Sequence, residues 1–355
     1  MRLSRRGIKG KVSAKANTFI LGFGTVLAGW IGTTGAAMLM IRPIIKLNQA
    51  RQYKTHLIIF LIFLVANIGG SLTPLGDPPL FLGFLQGVSF FWTLEYLAPE
   101  TFIVSAAVLL IFYFVDHRLL LQENLEHETP KLTFQAEGWF NFFNLLIIIS
   151  LVLLSGIWDP GIKIYIFDVD IKLQNAVRDL GLIAISTYSY FKTPHGIHKK
   201  NEFSFGPLME IVKLFWGIFI TVIPVLAMLG AGKEGSFASL IQLANFDGEP
   251  HPEIYFWLTG WLSAFLDNAP TYLVFFHMAG GNPEWLMTSG HLILEAISLG
   301  AVFMGAMTYI GNAPNFMVKA IAEENGIQMP SFFGYMKWSC GILLPLFIAL
   351  TLFHF

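Results

Sequence analysis

Two aspartates lie in apolar segments that glycine and proline interrupt, and they are the first candidates for chemistry. Asp77 lies in the stretch GDPP and Asp267 in the stretch DNAP. A charge inside a bilayer is costly, so its default interpretation there is a functional one. Short side chains with oxygen atoms accompany both aspartates: Thr33, Thr34, Asn67, Ser71, Thr73, Ser263, Asn268, Thr271, Thr308, Asn312 and Asn315.

The oxygen atoms of these groups could coordinate a cation. Carboxylates, amides, hydroxyls and freed carbonyls are oxygen ligands of the kind that hard cations prefer. We therefore expect Na⁺ at Asp77 and Asp267, and we expect no cofactor besides Na⁺ or H⁺ as coupling or transported ions. Two carboxylates also permit proton exchange, because burial disfavours the charged form of a carboxylate. The structural alternative is that each aspartate caps the helix that follows it, and capping is compatible with ion binding.

The two aspartates lie in segments that match each other. Residues 66–81 and 301–316 align without gaps at an offset of 235, with six identical positions. The same offset places GTTG at 32–35 on DNAP at 267–270, and each of these lies 44 residues before its partner break. Two apolar halves with paired helix breaks predict a secondary transporter that binds its substrate where the repeats meet. The residues predicted to break the helices are Gly32, Gly35, Gly76, Pro78, Pro79, Pro270, Gly311 and Pro314.

Composition places this chain in a membrane. It is 55% hydrophobic and 13% charged, whereas soluble domains average about 25% charged residues. The mean hydropathy is +0.62, which excludes a water-soluble fold. The formal net charge of −1 indicates no nucleic-acid partner, so the expected partners are the lipid bilayer and a small ion or molecule. We find no nucleotide fingerprint and no nucleophile–base pair, and we predict that the protein is not an enzyme.

Hydropathy predicts many helices, several of them too short to cross a bilayer of about 30 Å. The predicted apolar spans are 17–41, 56–75, 78–92, 100–121, 139–157, 176–191, 207–230, 254–279, 291–310, 312–322 and 332–353. Glu295 lies near the start of one span, where it is either a solvated end residue or a relay group.

The flanking charges predict topology. The first span, 17–41, has basic residues on both sides, which places both of its ends in the cytoplasm. A re-entrant hairpin that turns at GTTG satisfies this, since glycine permits the turn and threonine hydroxyls can partner free backbone groups. The second hairpin, 254–279, has acidic flanks and follows a basic loop at 192–202 and one crossing helix. It therefore enters from the opposite side.

The predicted fold is an all-α polytopic membrane protein with two inverted-topology repeats and a cytoplasmic N-terminus. The C-terminal half has three apolar segments before its hairpin and the N-terminal half has none, so we expect the N-terminal repeat to lack about three helices. The predicted parts are an N-terminal repeat at 1–121 (hairpin 17–41, broken helix 56–92, helix 100–121), a polar linker at 122–138 and a C-terminal repeat at 139–355 (hairpin 254–279, broken helix 291–322, last helix 332–353).

The stretches IGG…GDPP at 68–79, SAFLDNAPT at 263–271 and YIGNAPN at 309–315 resemble the ion transporter superfamily over nearly the whole chain. That superfamily includes sodium/proton antiporters, arsenite efflux pumps and citrate or dicarboxylate carriers. The resemblance implies an elevator-like movement against a dimeric scaffold in the cytoplasmic (inner) membrane. It also implies one half-site of Thr33, Thr34, Gly76 and Asp77 and another of Asp267, Asn268, Thr271, Gly311, Asn312 and Asn315.

Four functions follow. Sodium/proton antiport is the main expectation, because the two aspartates lie at breaks whose tips contain no Lys or Arg. Sodium- or proton-coupled transport of citrate or another organic anion is the alternative, with helix N-termini facing the anion. GTTG stands where dicarboxylate carriers have an Asn-Thr type tip, which speaks against a carboxylate substrate. Arsenite efflux and a truncated, non-transporting remnant are the remaining hypotheses.

Overall fold

The computed structural model describes residues 13–123, 140–166, 169–200, 234–245 and 249–355, together with isolated positions between 205 and 228. The chain is mostly helical. Two short antiparallel strands, β1 (Lys163–Ile166) and β2 (Val169–Lys172), depart from the expected all-α class. Most of the predicted linker at 122–138 and the basic N-terminal residues before Ser13 lie outside the described residues. Every described position between 209 and 228 is helical, within the predicted span 207–230.

The chain divides into two compact units. One comprises residues 133–216, and the other comprises residues 3–132 and 217–355. The first contains α7 (Phe140–Ile157), the two strands, α8 (Leu173–Lys192) and α9 (His195–Lys200). In it Asn141 joins α7 to α8, because Asn141 Oδ1 accepts a hydrogen bond from Ser189 at 2.7 Å.

The larger unit contains the remaining helices. They are α1 (Ala14–Ile31), α2 (Thr33–Leu47), α3 (Thr55–Leu64), α4 (Pro78–Leu85), α5 (Phe90–Tyr96), α6 (Ala98–Gln122), α10 (Ala238–Ala244), α11 (Pro252–Phe265), α12 (Asn268–Met278), α13 (Pro283–Met287), α14 (His291–Met304), α15 (Ala313–Glu324) and α16 (Phe332–His354).

Four segments are long and apolar enough to cross a membrane. They are Thr55–Leu72, Ala98–Gln122, Phe140–Ile157 and Phe332–His354 among the described residues, and His291–Met307 is a shorter apolar segment. The protein is therefore a multi-pass membrane protein, as its composition predicts. The segment Thr55–Leu72 differs from the others because 89% of it is buried inside the protein.

Helix α3 forms the centre of the larger unit. Its sequence THLIIFLIFL is apolar on every side, which is typical of a helix with no solvent-facing surface. From His56 to Leu64 each residue is buried, and the helix contacts α1, α2, α6, α15 and α16. This central position fixes the chain that follows α3, and that chain carries Asp77.

Helices α1 and α2 meet at one residue. Ser13 caps the start of α1 by accepting from the backbone N–H of Ala16 at 3.2 Å. Gly32 ends α1 with a φ of +86°, a conformation that residues other than glycine rarely adopt. Thr33 already belongs to α2. The pair of helices therefore covers residues 14–47, longer than the predicted 17–41, and its turn is shorter than GTTG.

Two stretches interrupt the helices where the sequence predicts breaks. After α3 the chain forms a short 3-10 turn at Ile68–Leu72 and then a second turn, closed by a hydrogen bond from the N–H of Gly76 to the carbonyl of Thr73 at 2.9 Å. Helix α4 begins directly after Asp77. After α14 it forms a 3-10 turn at Gly305–Met307 and reaches α15 through Asn312. The predicted span 78–92 is divided into α4 and α5, because Gly87 ends α4 with a φ of +106°.

Candidate functional site

Three polar side chains from three helix starts meet at the carboxylate of a fourth residue, Asp77. Asp77 Oδ1 accepts hydrogen bonds from Thr33 Oγ1 at 2.8 Å and from Asn312 Nδ2 at 3.1 Å. Asp77 Oδ2 accepts one from Asn268 Nδ2 at 2.5 Å. All four residues are buried, with at most 2% of their surface exposed. The structure thus brings together one predicted residue from each of four break regions.

Each of these residues stands where a helix begins. Thr33 and Asn268 are the first residues of α2 and α12, and Asp77 and Asn312 immediately precede α4 and α15. Helix N-termini carry partial positive charge and unpaired N–H groups, so they favour anions. The convergence stabilises a carboxylate at this point and suits the carboxylates of a substrate as well.

The groups that contact Asp77 in the described part of the chain are polar, and none of them is a cation. Its hydrogen-bond partners among the described residues are a hydroxyl and two amides. A buried carboxylate with neutral donors still carries its charge, which a bound cation or a proton would neutralise. One amide oxygen beside it, Asn268 Oδ1, is buried without a hydrogen-bond partner in the described part of the chain. A carboxylate and a free amide oxygen are suitable ligands for a hard cation.

The two aspartates have different local roles. Asp267 is partly exposed and caps α12, because its Oδ1 accepts from the backbone N–H of Ala269 at 3.0 Å. Asp77 stands at the same position relative to α4 but makes no capping hydrogen bond. Pro78 and Pro79 have no N–H to offer in that first turn. The carboxylate of Asp77 instead contacts the other three helix starts, whereas Asp267 makes the predicted cap.

Two threonines hold the broken segments in the same way. Thr73 Oγ1 donates to the carbonyl of Gly29, and Thr308 Oγ1 donates to that of Ala264, both at 2.5 Å and both across 44 positions. Each hydroxyl also accepts from the backbone N–H two residues further along, Leu75 at 3.1 Å and Ile310 at 3.2 Å, and Thr308 accepts in addition from Gly311 at 3.2 Å. Both threonines are fully buried, and these hydrogen bonds fasten each broken segment to a neighbouring helix.

A pair of asparagines joins the two breaks directly. Asn67 Nδ2 donates to Asn315 Oδ1 at 2.7 Å across 248 positions. Asn315 Nδ2 in turn donates to the carbonyls of Gly305 and Thr308, at 2.8 and 2.9 Å. These bonds satisfy backbone groups that the interrupted helix leaves free, which is required at membrane depth.

The other predicted residues lie around this centre. Ser263 Oγ donates to the carbonyl of Ala301 at 2.6 Å, and Thr271 Oγ1 donates to that of Asp267 at 3.0 Å. Thr34 is partly exposed and Gly35 is exposed in the first turn of α2, rather than at the break itself.

Close backbone contacts explain two of the predicted glycines. A Cβ atom at Gly311 would lie 2.6 Å from the carbonyl oxygen of Gly305. One at Gly76 would overlap the carbonyl of Gly70 in the same manner. Both breaks fold back on themselves so tightly that only glycine fits there. Pro270 and Pro314 lie within the first turns of α12 and α15.

Two buried charged clusters are not predicted by the sequence. In the first, Asp116 on α6 accepts from Arg51, from His56 Nε2 at 2.8 Å and from Asn17 at 2.9 Å. Positive-inside counting treats Arg51 as a surface charge, yet only 2% of it is exposed. In the second, Glu100 and Glu295 flank His354. Glu295 is 2% exposed, so it is not a solvated end residue.

Comparison with known proteins identifies the family. No curated protein matches the chain. The model of the family described as "Putative citrate transport" matches residues 6–355, which is nearly the entire chain. This family is part of the ion transporter superfamily and consists of transporters rather than enzymes, in agreement with the sequence-based expectation. The match supports the organic-anion alternative better than sodium/proton antiport. The chain belongs to the "Putative citrate transport" family.

Proposed function

We propose that this protein is a secondary transporter of citrate-type organic anions that couples uptake to a cation held at Asp77. The observation that carries the proposal is the convergence of four helix starts on one buried carboxylate with neutral partners. Family membership supports the anion as substrate, and the unneutralised carboxylate supports a coupling cation. Na⁺ and H⁺ are the candidate ions.

In this proposal, the charge of Asp77 couples binding of the anion to binding of the cation. Without a cation, Asp77 repels the carboxylates of an approaching substrate, although the helix N-termini favour them. A cation between Asp77 and Asn268 Oδ1 removes that repulsion and leaves the partial positive charge of the helix starts. The first turns of α2 and α12, with the partly exposed Thr34 and Asp267 beside them, would then receive the substrate. Binding of each species strengthens binding of the other by the same factor.

We also propose the two inverted-topology repeats, at 1–121 and 139–355 with the linker 122–138 between them. The matched hydrogen bonds of Thr73 and Thr308 support this. The two donors are 235 positions apart in the chain, and so are the two acceptors, Gly29 and Ala264. In this proposal α1–α2 and α11–α12 are re-entrant hairpins whose tips are Gly32 and Asp267. The dimeric scaffold, the inner-membrane location and the cytoplasmic N-terminus are part of the same proposal.

The test is uptake of radiolabelled citrate into proteoliposomes under an imposed gradient of Na⁺, of H⁺ or of neither. Wild type should accumulate citrate only when one of the two gradients points inward. Asp77→Asn should lose gradient-driven accumulation, whereas the matched variant of the exposed Asp159, Asp159→Asn, should retain it. Elution as a single species in detergent would show that both variants are folded.

Antiport remains the second candidate, because the carboxylate of Asp77 can alternate between a proton and Na⁺ without any anion. The same vesicles loaded with a pH-sensitive dye distinguish the two functions. If Na⁺ moves protons in the absence of citrate and citrate is never accumulated, the anion proposal is wrong and antiport takes its place. Accumulation of citrate by Asp77→Asn at the wild-type level would exclude Asp77 as the coupling site.

A further inference from the structure

Three ionisable side chains that take no part in the proposed transport site meet near the ends of three helices. Glu100 lies in the first turn of α6, Glu295 near the start of α14 and His354 at the end of α16. His354 Nδ1 lies 3.2 Å from Glu100 Oε1, and His354 Nε2 lies 2.8 Å from Glu295 Oε2. We call these three residues the Glu–His–Glu cluster.

The cluster has more negative than positive charge. Two carboxylates face one imidazole, so even a protonated histidine leaves one negative charge in a buried position. The Glu295 side chain is 3% exposed and the Glu100 side chain 9%. Burial of an unneutralised charge is expensive, and such charges are normally paired or bound to a metal. A neutral imidazole, two carboxylates and one divalent cation would together have a net charge of zero.

One oxygen of the cluster is available for a ligand. Glu100 Oε2 is buried and has no hydrogen-bond partner among the described residues, although its twin Oε1 faces His354. A buried acceptor without a partner costs free energy unless something fills its place. This orphaned oxygen is an observation independent of the charge count, and it indicates a bound species.

We propose that the Glu–His–Glu cluster is a binding site for a divalent transition-metal ion, of which Zn²⁺ is the best match. One nitrogen and two carboxylate oxygens are ligand types that zinc accepts. The candidate ligand atoms all lie within 4.8 Å of one another. Zinc holds such atoms at about 2.0–2.2 Å, so two ligands of one ion lie at most about 4.4 Å apart. Small side-chain movements therefore close the site.

The surroundings supply an entry path. The His354 side chain is 26% exposed while the two glutamates are buried, so an ion can reach the cluster from the side on which His354 is exposed. With one imidazole nitrogen on the metal, the other can keep its hydrogen bond to a carboxylate, as metal-binding histidines commonly do. A bound ion would tie α6, α14 and α16 together and would stabilise the folded state through linkage. This role does not depend on the transport proposal.

The experiment uses the full chain in detergent, stripped with EDTA and titrated with ZnCl₂ by calorimetry. Wild type should bind one Zn²⁺ per chain and unfold at a higher temperature when it is loaded. Co²⁺ in place of zinc should give visible absorption bands typical of a low-coordinate nitrogen–oxygen site. His354→Gln and Glu100→Gln should each weaken binding at least about tenfold, which is the lower range for disturbed metal sites.

The matched control is His198→Gln, because the rings of His195 and His198 lie 6.3 Å apart and form the competing histidine pair in the described chain. It should bind Zn²⁺ as wild type does. Absence of saturable binding by wild type would overturn the proposal without any variant being needed. So would equal binding by His354→Gln, by Glu100→Gln and by wild type. Loss of binding in His198→Gln alone would place the metal elsewhere and would also refute it.

Discussion

The side-chain amide of Asn268 donates to Oδ2 of Asp77 at 2.5 Å, which links two residues 191 positions apart. The oxygen of the same amide is buried and makes no hydrogen bond in the described structure. One side chain thus holds the carboxylate with its nitrogen and leaves its oxygen open. Among the four helix starts, Asn268 is therefore the residue whose replacement separates ion binding from folding most directly.

Asn268→Ala should weaken binding of Na⁺ about 10- to 100-fold, because it removes Oδ1, the open amide oxygen that the proposal assigns to the cation. Polar interactions with charged groups contribute about 1.5–3 kcal/mol. The concentration of Na⁺ that gives half-maximal citrate uptake in proteoliposomes measures the change. Asn325→Ala, at the exposed end of α15, serves as the control and should not shift it. An unshifted midpoint for Asn268→Ala would remove this residue from the proposed site.

Asp267→Asn should leave stability nearly unchanged and still impair transport. Asparagine caps helices about as well as aspartate, so α12 keeps its cap. The negative charge beside the site disappears, however, and so does its contribution to holding a cation. Thermal unfolding and citrate uptake, measured on the same preparation, test both parts. Asp267→Ala should in addition lose about 1 kcal/mol of stability. Full uptake by Asp267→Asn would show that this aspartate is only a cap.

Gly76→Ala and Gly311→Ala should both destabilise the protein, by about 1–3 kcal/mol, because each added methyl group would overlap a carbonyl in a tight break. Gly341→Ala is the control. Gly341 lies inside α16 with no atom near its position for a Cβ, so alanine there should be neutral or slightly stabilising. The melting temperatures of the three variants in detergent, compared with that of the wild type, test this prediction. A wild-type melting temperature for Gly311→Ala would mean that its break is wider than described.

Thr73→Val and Thr308→Val test the repeat proposal, since valine keeps the shape and removes the hydroxyl. Each threonine donates to a carbonyl and accepts from a backbone N–H in matching positions. Both variants should therefore lose similar stability, about 1–3 kcal/mol, through unpaired buried backbone groups. The double variant should lose about the sum. A large effect in one variant and none in the other would count against equivalent roles.

Asp116→Asn should be more damaging than removal of both partners of the ion pair. Arg51 is buried, and without the carboxylate of Asp116 its charge keeps one carboxylate contact among the described residues, that of Nε with Glu123 Oε2 at 3.3 Å. We expect a loss of up to about 3–5 kcal/mol, the cost of a broken buried ion pair. The double variant of Arg51→Met with Asp116→Leu should recover much of this loss. The unfolding free energies of the two single variants and the double variant give the interaction energy between Arg51 and Asp116. If Asp116→Asn unfolds like wild type, the cluster contributes little to the fold.

Composition and motifs predict a membrane protein and place its candidate site at four helix breaks. Its hydropathy requires a bilayer, and the glycines and prolines that group together near residues 32, 76, 267 and 311 inside apolar segments predict breaks there. Because ionisable and short polar residues are costly among lipids, their presence at those breaks marks them without any coordinates. Thr33, Asp77, Asn268 and Asn312 were all predicted in this way, and the family match agrees with the superfamily that the motifs indicate.

The hydrogen-bond partner of each polar group, in contrast, depends on how the helices pack together. Both aspartates precede helices and look alike in sequence, yet one caps its helix and the other collects donors from three other helix starts. The Glu–His–Glu cluster joins residues up to 254 positions apart in numbering, from 100 to 354, and no local pattern encodes such a contact. Hydropathy and breaks are local properties of the chain. Which hydrogen bonds and ion pairs form depends on which helices pack together, and that is settled only when the whole chain is folded.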